Sequence, residues 1–304
     1  MTDGVTTELT ELIALQRYAQ VGHYHSEGRA VRAGGHLSKL RGRGMDFSEV
    51  RNYQAGDEIR HMEWRVTART GRPHVKLYQE ERERPVIILT DFNPSMYFGT
   101  RLAFKSVIAA RLAAIVAWTV VKQGDRVGGL LFSATTHNEL TPRGRASGVL
   151  PLLAALSRYT HELPQHTSQP NSRSLSYALQ RVHRVVRPGS ILVVISDFYN
   201  IDKDCEQHLN RLRIHNDVLA YHLCDPLEIA PPKPQQYAIT DGQQEFLLDM
   251  TVDAARSAYL SYCQERIASL QTQLQGLQIQ YVQVTAENNL PLLVRQTFPR
   301  RVNS

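Results

Sequence analysis

Cysteine is scarce: the 304 residues hold three, Cys205, Cys224 and Cys263, with no Cys-x-x-Cys pair. An odd, scattered set excludes a disulfide framework and a thiolate zinc site. Long apolar runs are missing as well. The most apolar stretch, Ser106 to Val121, is interrupted by Arg111, and the part beyond it is far short of the roughly 20 residues that cross a bilayer. It reads as a helix buried against a sheet. The first twenty residues carry Asp3, Glu8, Glu11 and Arg17 and lack the apolar core of a signal peptide. Together these gaps point to a soluble chain of a reducing compartment with no membrane span of its own.

No run of like charge occurs either. Lysine and arginine outnumber aspartate and glutamate 35 to 29, a net charge of +6, which raises the question of nucleic acid. The excess is spread over two segments, eleven against five from Arg29 to Lys76 and eight against two from Arg101 to Thr160, while thirteen of each sign follow Asn171. Without a basic run or interleaved aromatics, nucleic acid is disfavoured. An acidic protein surface or solvated faces account for the excess equally well. Also absent are a Gly-rich P-loop ending in Lys-Ser/Thr, a Gly-x-Ser-x-Gly elbow and a His-Glu-x-x-His pair. Those gaps argue against an NTPase, a serine hydrolase and a zinc hydrolase; His23, His25 and His36 lie in loop-like sequence.

What is present changes character at Pro85. Ahead of it, residues 5 to 21 form an imperfect amphipathic helix through Leu9, Leu12, Ile13 and Leu15. A stretch rich in Gly, His and Arg follows from Gly22 to Gly44. Then come two turn signals, Gly56-Asp57 and Thr70-Gly71-Arg72-Pro73, with an extended run from His74 to Tyr78. From Pro85 onward strand and helix alternate. Apolar strands are predicted at 86–90, 126–132, 191–195, 217–223 and 279–284, and helices near 101–122, 147–156, 175–186, 205–213, 252–275 and 290–297. A hairpin is predicted around Asp241-Gly242. Leu260, Cys263, Ile267, Leu270, Leu274 and Leu277 give the long late helix a stripe too short for a coiled coil, so it should pack on the sheet. The reading is an amino-terminal region, 1–84, ahead of an α/β domain, 85–304, with a mostly parallel, doubly wound sheet.

Right-handed crossovers would bring Asp91 and Asp197, each ending an apolar strand, to one edge of that sheet. Asp91-Phe92-Asn93-Pro94-Ser95 then offers a carboxylate, an amide oxygen and a hydroxyl at alternate positions. Mg²⁺ favours such hard oxygen ligands. A helix or turn cap needs an oxygen there just as much, and the residues alone leave the two readings level.

This arrangement resembles a von Willebrand factor A domain with its metal-ion-dependent adhesion site, in which Asp91, Asn93, Ser95 and Asp197 would be the Mg²⁺ ligands. Upstream, Gly42 to Gly71 resembles the signature of a bacterial uncharacterised family, domain of unknown function 58, whose members accompany MoxR-type AAA+ ATPases. Gly56, Asp57, Arg60, Trp64, Ala68 and Arg69 carry that signature. Two departures bear on the metal: Asn93 replaces a serine, and in the register set by Leu175 Arg173 stands at the expected threonine, while a slip of one residue would offer Ser172 or Ser174 instead. A guanidinium would compete with a divalent cation for the carboxylates, so weakened or lost metal binding is expected.

The signature reads physically as structure. Arg60, Arg65 and Arg69 would pin the Gly56-Asp57 turn to Asp57 or Glu63, and Trp64 would be the apolar anchor against the main domain, whose loss leaves poorly folded protein. The resemblance implies a cytoplasmic, non-enzymatic adaptor for a MoxR-type ATPase, with membrane-anchored von Willebrand factor A proteins as further partners, in chaperone-like maturation or metal insertion. The alternative is a metal-dependent phosphoryl-transfer hydrolase built on Asp91 and Asp197. Asn93, where haloacid dehalogenase-like enzymes need a second aspartate, stands against it.

Overall fold

The computed structural model describes residues 4–19, 45–54, 56–80, 83–162, 175–240 and 245–299. They divide into two compact units, residues 4–19 with those from 84 onward, and residues 45 to 83. The opening helix, α1 (Leu9–Ala14), continues as a 3-10 turn through Tyr18 and belongs to the larger unit. That corrects a boundary drawn from sequence at 84/85, which had placed it in the amino-terminal region. Its Leu12 is fully buried and its carbonyl accepts the Trp118 indole N–H at 3.1 Å.

The smaller unit is a two-stranded antiparallel ribbon, β1 (Met45–Asn52) and β2 (His74–Glu80), with a short helix, α2 (Trp64–Thr70), between them. Gly56 at φ 111° makes the turn that Asp57 closes by accepting the Gln54 N–H at 2.9 Å. Glu63 caps α2 by accepting from the Arg65 N–H at 3.3 Å. Gly71, left-handed at φ 68°, ends it with its N–H on the Thr67 carbonyl.

The exposed face of α2 carries Trp64, Arg65, Ala68 and Arg69. Trp64 is 64% exposed. The pinning cations differ from those expected. Arg51 holds Asp57 at 2.8 Å, and Lys76 pairs with Glu63. The reason is strand geometry: Arg51 on β1 and Lys76 on β2 reach these carboxylates, while Arg60, ahead of the helix, and Arg65 and Arg69, on it, are exposed.

The larger unit runs β3 (Pro85–Asp91), α3 (Lys105–Lys122), β4 (Arg126–Phe132), β5 (His137–Gly144), α4 (Ala146–His161), α5 (Leu175–Val185), β6 (Ile191–Ser196), α6 (Lys203–His215) and β7 (Asp217–Leu223). It continues with the hairpin β8 (Gln236–Thr240) and β9 (Glu245–Asp249), then α7 (Asp253–Gly276), β10 (Gln280–Val284) and α8 (Leu290–Thr297). The large sheet has the order β10-β7-β6-β3-β4-β5, parallel throughout except for β5 against β4.

The strand period of two divides its burial. Val86 and Ile88 face a core shared with α1, α3, α4 and α8; Ile87 and Leu89 face one shared with α5, α6 and α7. This is the doubly wound architecture expected, a mostly parallel sheet with helices on both faces. The late helix α7 packs Leu270 and Leu274 against the sheet, as its stripe predicted. α3 is buried from Lys105 to Val120 at every position but Arg111, which pairs with Glu11 of α1, and this explains an apolar stretch with no polar face. Among the described residues no helix is long and apolar enough to cross a membrane. The stretch Gly22–Gly44, the loop holding Arg173 and the Asp241-Gly242 turn fall outside the described residues, although β8 and β9 pair antiparallel as a hairpin requires.

Candidate functional site

The sheet order reverses at β3: β4 lies on one side of it and β6 on the other. At such a switch point the loops leaving neighbouring strands diverge and open a crevice at their carboxyl ends. Three carboxylates lie there, each following a different strand: Asp91 on β3, Asp197 after β6 and Asp225 after β7. All are buried. The structure thus brings Asp91 and Asp197 together, as their strand-end positions predicted, and each raises a question of compensation for buried charge.

Asp91 finds hydrogen bonds rather than a cation. One oxygen accepts the Asn93 backbone N–H at 2.8 Å and the other the Ser196 hydroxyl at 2.7 Å. Burial first, and the Asp197 charge second, push its carboxyl up to about 7. Asp197 is placed by an unusual turn, since Phe198 sits at φ 49°, a left-handed conformation costing a non-glycine residue roughly 1–2 kcal/mol. Its Oδ1 accepts the Tyr199 N–H at 3.1 Å. Its Oδ2 accepts from Lys105 Nζ at 2.9 Å, and the same ammonium donates to Glu228 Oε1 at 2.7 Å.

Lys105 is 4% exposed. Burial alone would lower its pKa; Asp197 and Glu228 outweigh that and hold it above the ordinary lysine value. For Asp197 burial acts upward, and the Lys105 charge, helped by the Ser95 hydroxyl, overcomes it and leaves the carboxyl low. The two shifts agree that this is an ion pair. Arg266 closes the cluster, donating to the Asp197 carbonyl at 3.3 Å and standing over the Tyr199 ring at 4.9 Å.

Asp225 is held apart from this pairing. It accepts from the Thr100 N–H at 2.8 Å, the Thr100 hydroxyl at 2.6 Å and the Leu227 N–H at 2.9 Å. Glu228 returns a carboxylate oxygen to the Asp225 N–H, completing a capping box. The loop that carries Thr100 folds back tightly at Gly99, where a Cβ would stand 2.4 Å from the Ala103 carbonyl oxygen.

Lys105, Glu228, Ser196 and Asp225 were not singled out from sequence. One local sign was available for the lysine. It opens α3 with a positive charge in a first turn, where the helix dipole favours a negative one, and only a distant carboxylate explains that choice. Asn93 contributes its backbone N–H, and Ser95 a hydroxyl directed to Asp197. Arg173 lies outside the described residues.

These residues are a poor fit for a divalent cation. Each of the four oxygens of Asp91 and Asp197 already accepts from a protein donor, and an ammonium touches one of them. Among the described residues, no three His, Cys, Asp or Glu side chains are grouped to hold a metal. Nor is the nearby His222–Cys224 pair an activated nucleophile, despite an Sγ to Nε2 distance of 3.3 Å. Burial pushes the thiol up to about 12 and the imidazole down to about 4, so both are neutral.

Above the buried charges the same edge exposes apolar side chains. Phe98 and Leu102 in the loop entering α3, and Tyr199 in the loop leaving β6, are all exposed, Leu102 by 63%. The Phe98 ring centre is 6.0 Å from Lys105 Nζ.

Comparison with known proteins bears on the family. The sequence profile of the family described as "Protein of unknown function DUF58" matches residues 49–268. The uncharacterized protein Mb1516 of Mycobacterium bovis is 27% identical over 222 residues, 73% of this chain and 68% of that one. Among solved structures, the conserved hypothetical protein BatB from Bacteroides thetaiotaomicron aligns with a TM-score of 0.42 and 15% identity, over 70% of this chain and 96% of that one. An aerotolerance-related membrane protein from Bacteroides fragilis aligns at a TM-score of 0.41 and 15% identity, over 70% of this chain and 98% of that one.

Proposed function

The chain belongs to the family of proteins of unknown function DUF58, and we propose that it acts as a non-enzymatic docking protein that engages its partner through the carboxyl edge of the large sheet. The observation that carries this reading is the rim of Phe98, Leu102 and Tyr199, exposed over a buried charge cluster that fixes the loops bearing them. Aromatic and large apolar side chains on a rigid base are the usual anchors of protein interfaces. The partner we assign is a MoxR-type AAA+ ATPase, on the resemblance of the Gly42–Gly71 signature, with the chain working in the cytoplasm in chaperone-like maturation or metal insertion. Membrane-anchored von Willebrand factor A proteins are further partners in this reading.

The phosphoryl-transfer alternative has less support. Its nucleophile, Asp91, is buried with both oxygens engaged, whereas an attacking carboxylate has to meet substrate. The test is a pull-down of the tagged chain from its native extract, beside the double variant Leu102→Asp/Tyr199→Asp. Recovery of a MoxR-type ATPase by the wild type and its loss with the folded variant is the expected result. No ATPase with the wild type at low salt sinks the reading, and equal recovery by both moves the docking site elsewhere.

A further inference from the structure

We infer that the ammonium of Lys105 is the resident cation of the strand-end site, held by Asp197 and Glu228 where a divalent metal would otherwise sit, so that the site is built to work without metal. Position is the first argument. Lys105 Nζ is buried at the switch point of the sheet, beside the carboxylate that follows β6 and within the electrostatic reach of the one that ends β3. Charge is the second. An oxygen that accepts from an ammonium at 2.9 Å offers its lone pair to a cation already present, and a second, doubly charged ion brought beside it meets repulsion in a dry site. Connection is the third. The ammonium joins the start of α3, the loop after β6 and the turn after β7. A cation of that kind fixes several loops at once, which is the structural work of a coordinated metal.

A mere surface ion pair would not do this, because it would be solvated and interchangeable. Here the lysine opens a helix whose dipole opposes it, is 4% exposed and pairs across 92 and 123 residues of chain. The inference concerns what the isolated chain holds and stands or fails apart from the docking reading. A metal titration needs no partner, and a failed pull-down leaves its result untouched.

The wild type would be titrated with Mn²⁺ and with Mg²⁺, by calorimetry and by the electron paramagnetic resonance signal of free Mn²⁺, with Tm followed alongside. The expected result is no saturable binding and no rise in Tm. Lys105→Ala, which vacates the ammonium's place, is expected to gain saturable Mn²⁺ binding and a Tm that climbs with Mn²⁺ concentration, both abolished by adding Asp197→Asn. Saturable binding by the wild type that Asp91→Asn removes would overturn the inference. So would a folded Lys105→Ala that stays indifferent to Mn²⁺. Should Lys105→Ala not fold, the wild-type titration decides alone, since site-specific binding there contradicts a resident ammonium and its absence upholds one.

Discussion

At the edge of the large sheet, charges pair across the fold and out of water; in the small unit they pair along the chain and within reach of it. Lys105 meets Asp197 and Glu228 across 92 and 123 residues, with the lysine 4% exposed. Arg51 meets Asp57 across six residues, with side chains 32% and 20% exposed. The distances are alike, at 2.9 and 2.7 Å against 2.8 Å. Geometry therefore does not separate the two clusters; solvent does. A buried pair exacts a large cost if one partner is removed, because the other stays behind uncompensated, while an exposed pair is replaced by water. The first can specify which loops sit together; the second steadies one turn.

The comparison breaks first at Lys105. Lys105→Met leaves Asp197 and Glu228 without their cation, and a loss of about 3–5 kcal/mol in urea unfolding is expected. A loss under about 1 kcal/mol, the range of exposed pairs, would place this cluster with the small unit's and end the distinction.

Next comes the pH dependence of the buried side. His222 is buried beside Tyr281, whose hydroxyl lies 2.7 Å from its Nδ1, and burial lowers it from 6.5 to about 4. Between those pH values the unfolded chain binds a proton that the folded chain refuses. The contribution of neutral His222 is therefore whole above about pH 6.5, falls as pH drops and is gone at about pH 4, roughly 3 kcal/mol in all. Urea midpoints at pH 7 and pH 4.5 for the wild type and His222→Gln would read it. The variant should lose markedly less stability on acidification, and equal losses would show that His222 is not the group being titrated.

How much of this was legible follows the same division. β4 and β7 are apolar runs buried on both faces, and their bounds read directly from sequence. β5, His137 to Gly144, is a polar edge strand that includes Pro142 and pairs on one side only, so no apolar run announces it. Asp91 and Asp197 were visible because each ends an apolar strand. Their partners were not, because no local pattern ties a lysine at the start of α3 to a glutamate in a turn 123 residues later. On α2, Val66 and Thr67 are half-buried, while Trp64, Arg65 and Arg69 are exposed, and no local pattern in the sequence separates those two sides of so short a helix.

On the exposed side the expected effects are small. Arg51→Ala removes a pair that water can replace, although Asp57 keeps the Gln54 N–H; a loss of no more than about 1 kcal/mol is expected. Thermal unfolding would measure it, and a loss comparable to that of Lys105→Met would show that the turn is as tightly specified as the sheet edge.

Trp64→Ala sharpens the comparison most finely, because its expected effect on stability is the smallest. A side chain that is 64% exposed gives up little buried area when truncated, and surface changes of that kind fall within about 0.5 kcal/mol. A buried anchor of this size would instead cost several kcal/mol. Near-wild-type Tm and circular dichroism for Trp64→Ala would confirm that the signature helix stabilises little through its exposed face. Its tryptophan and arginines would then be free to meet a partner, and the pull-down repeated with this variant would ask whether they do. A poorly folded variant would mean that Trp64 is covered in solution and that the small unit, too, is held together from inside.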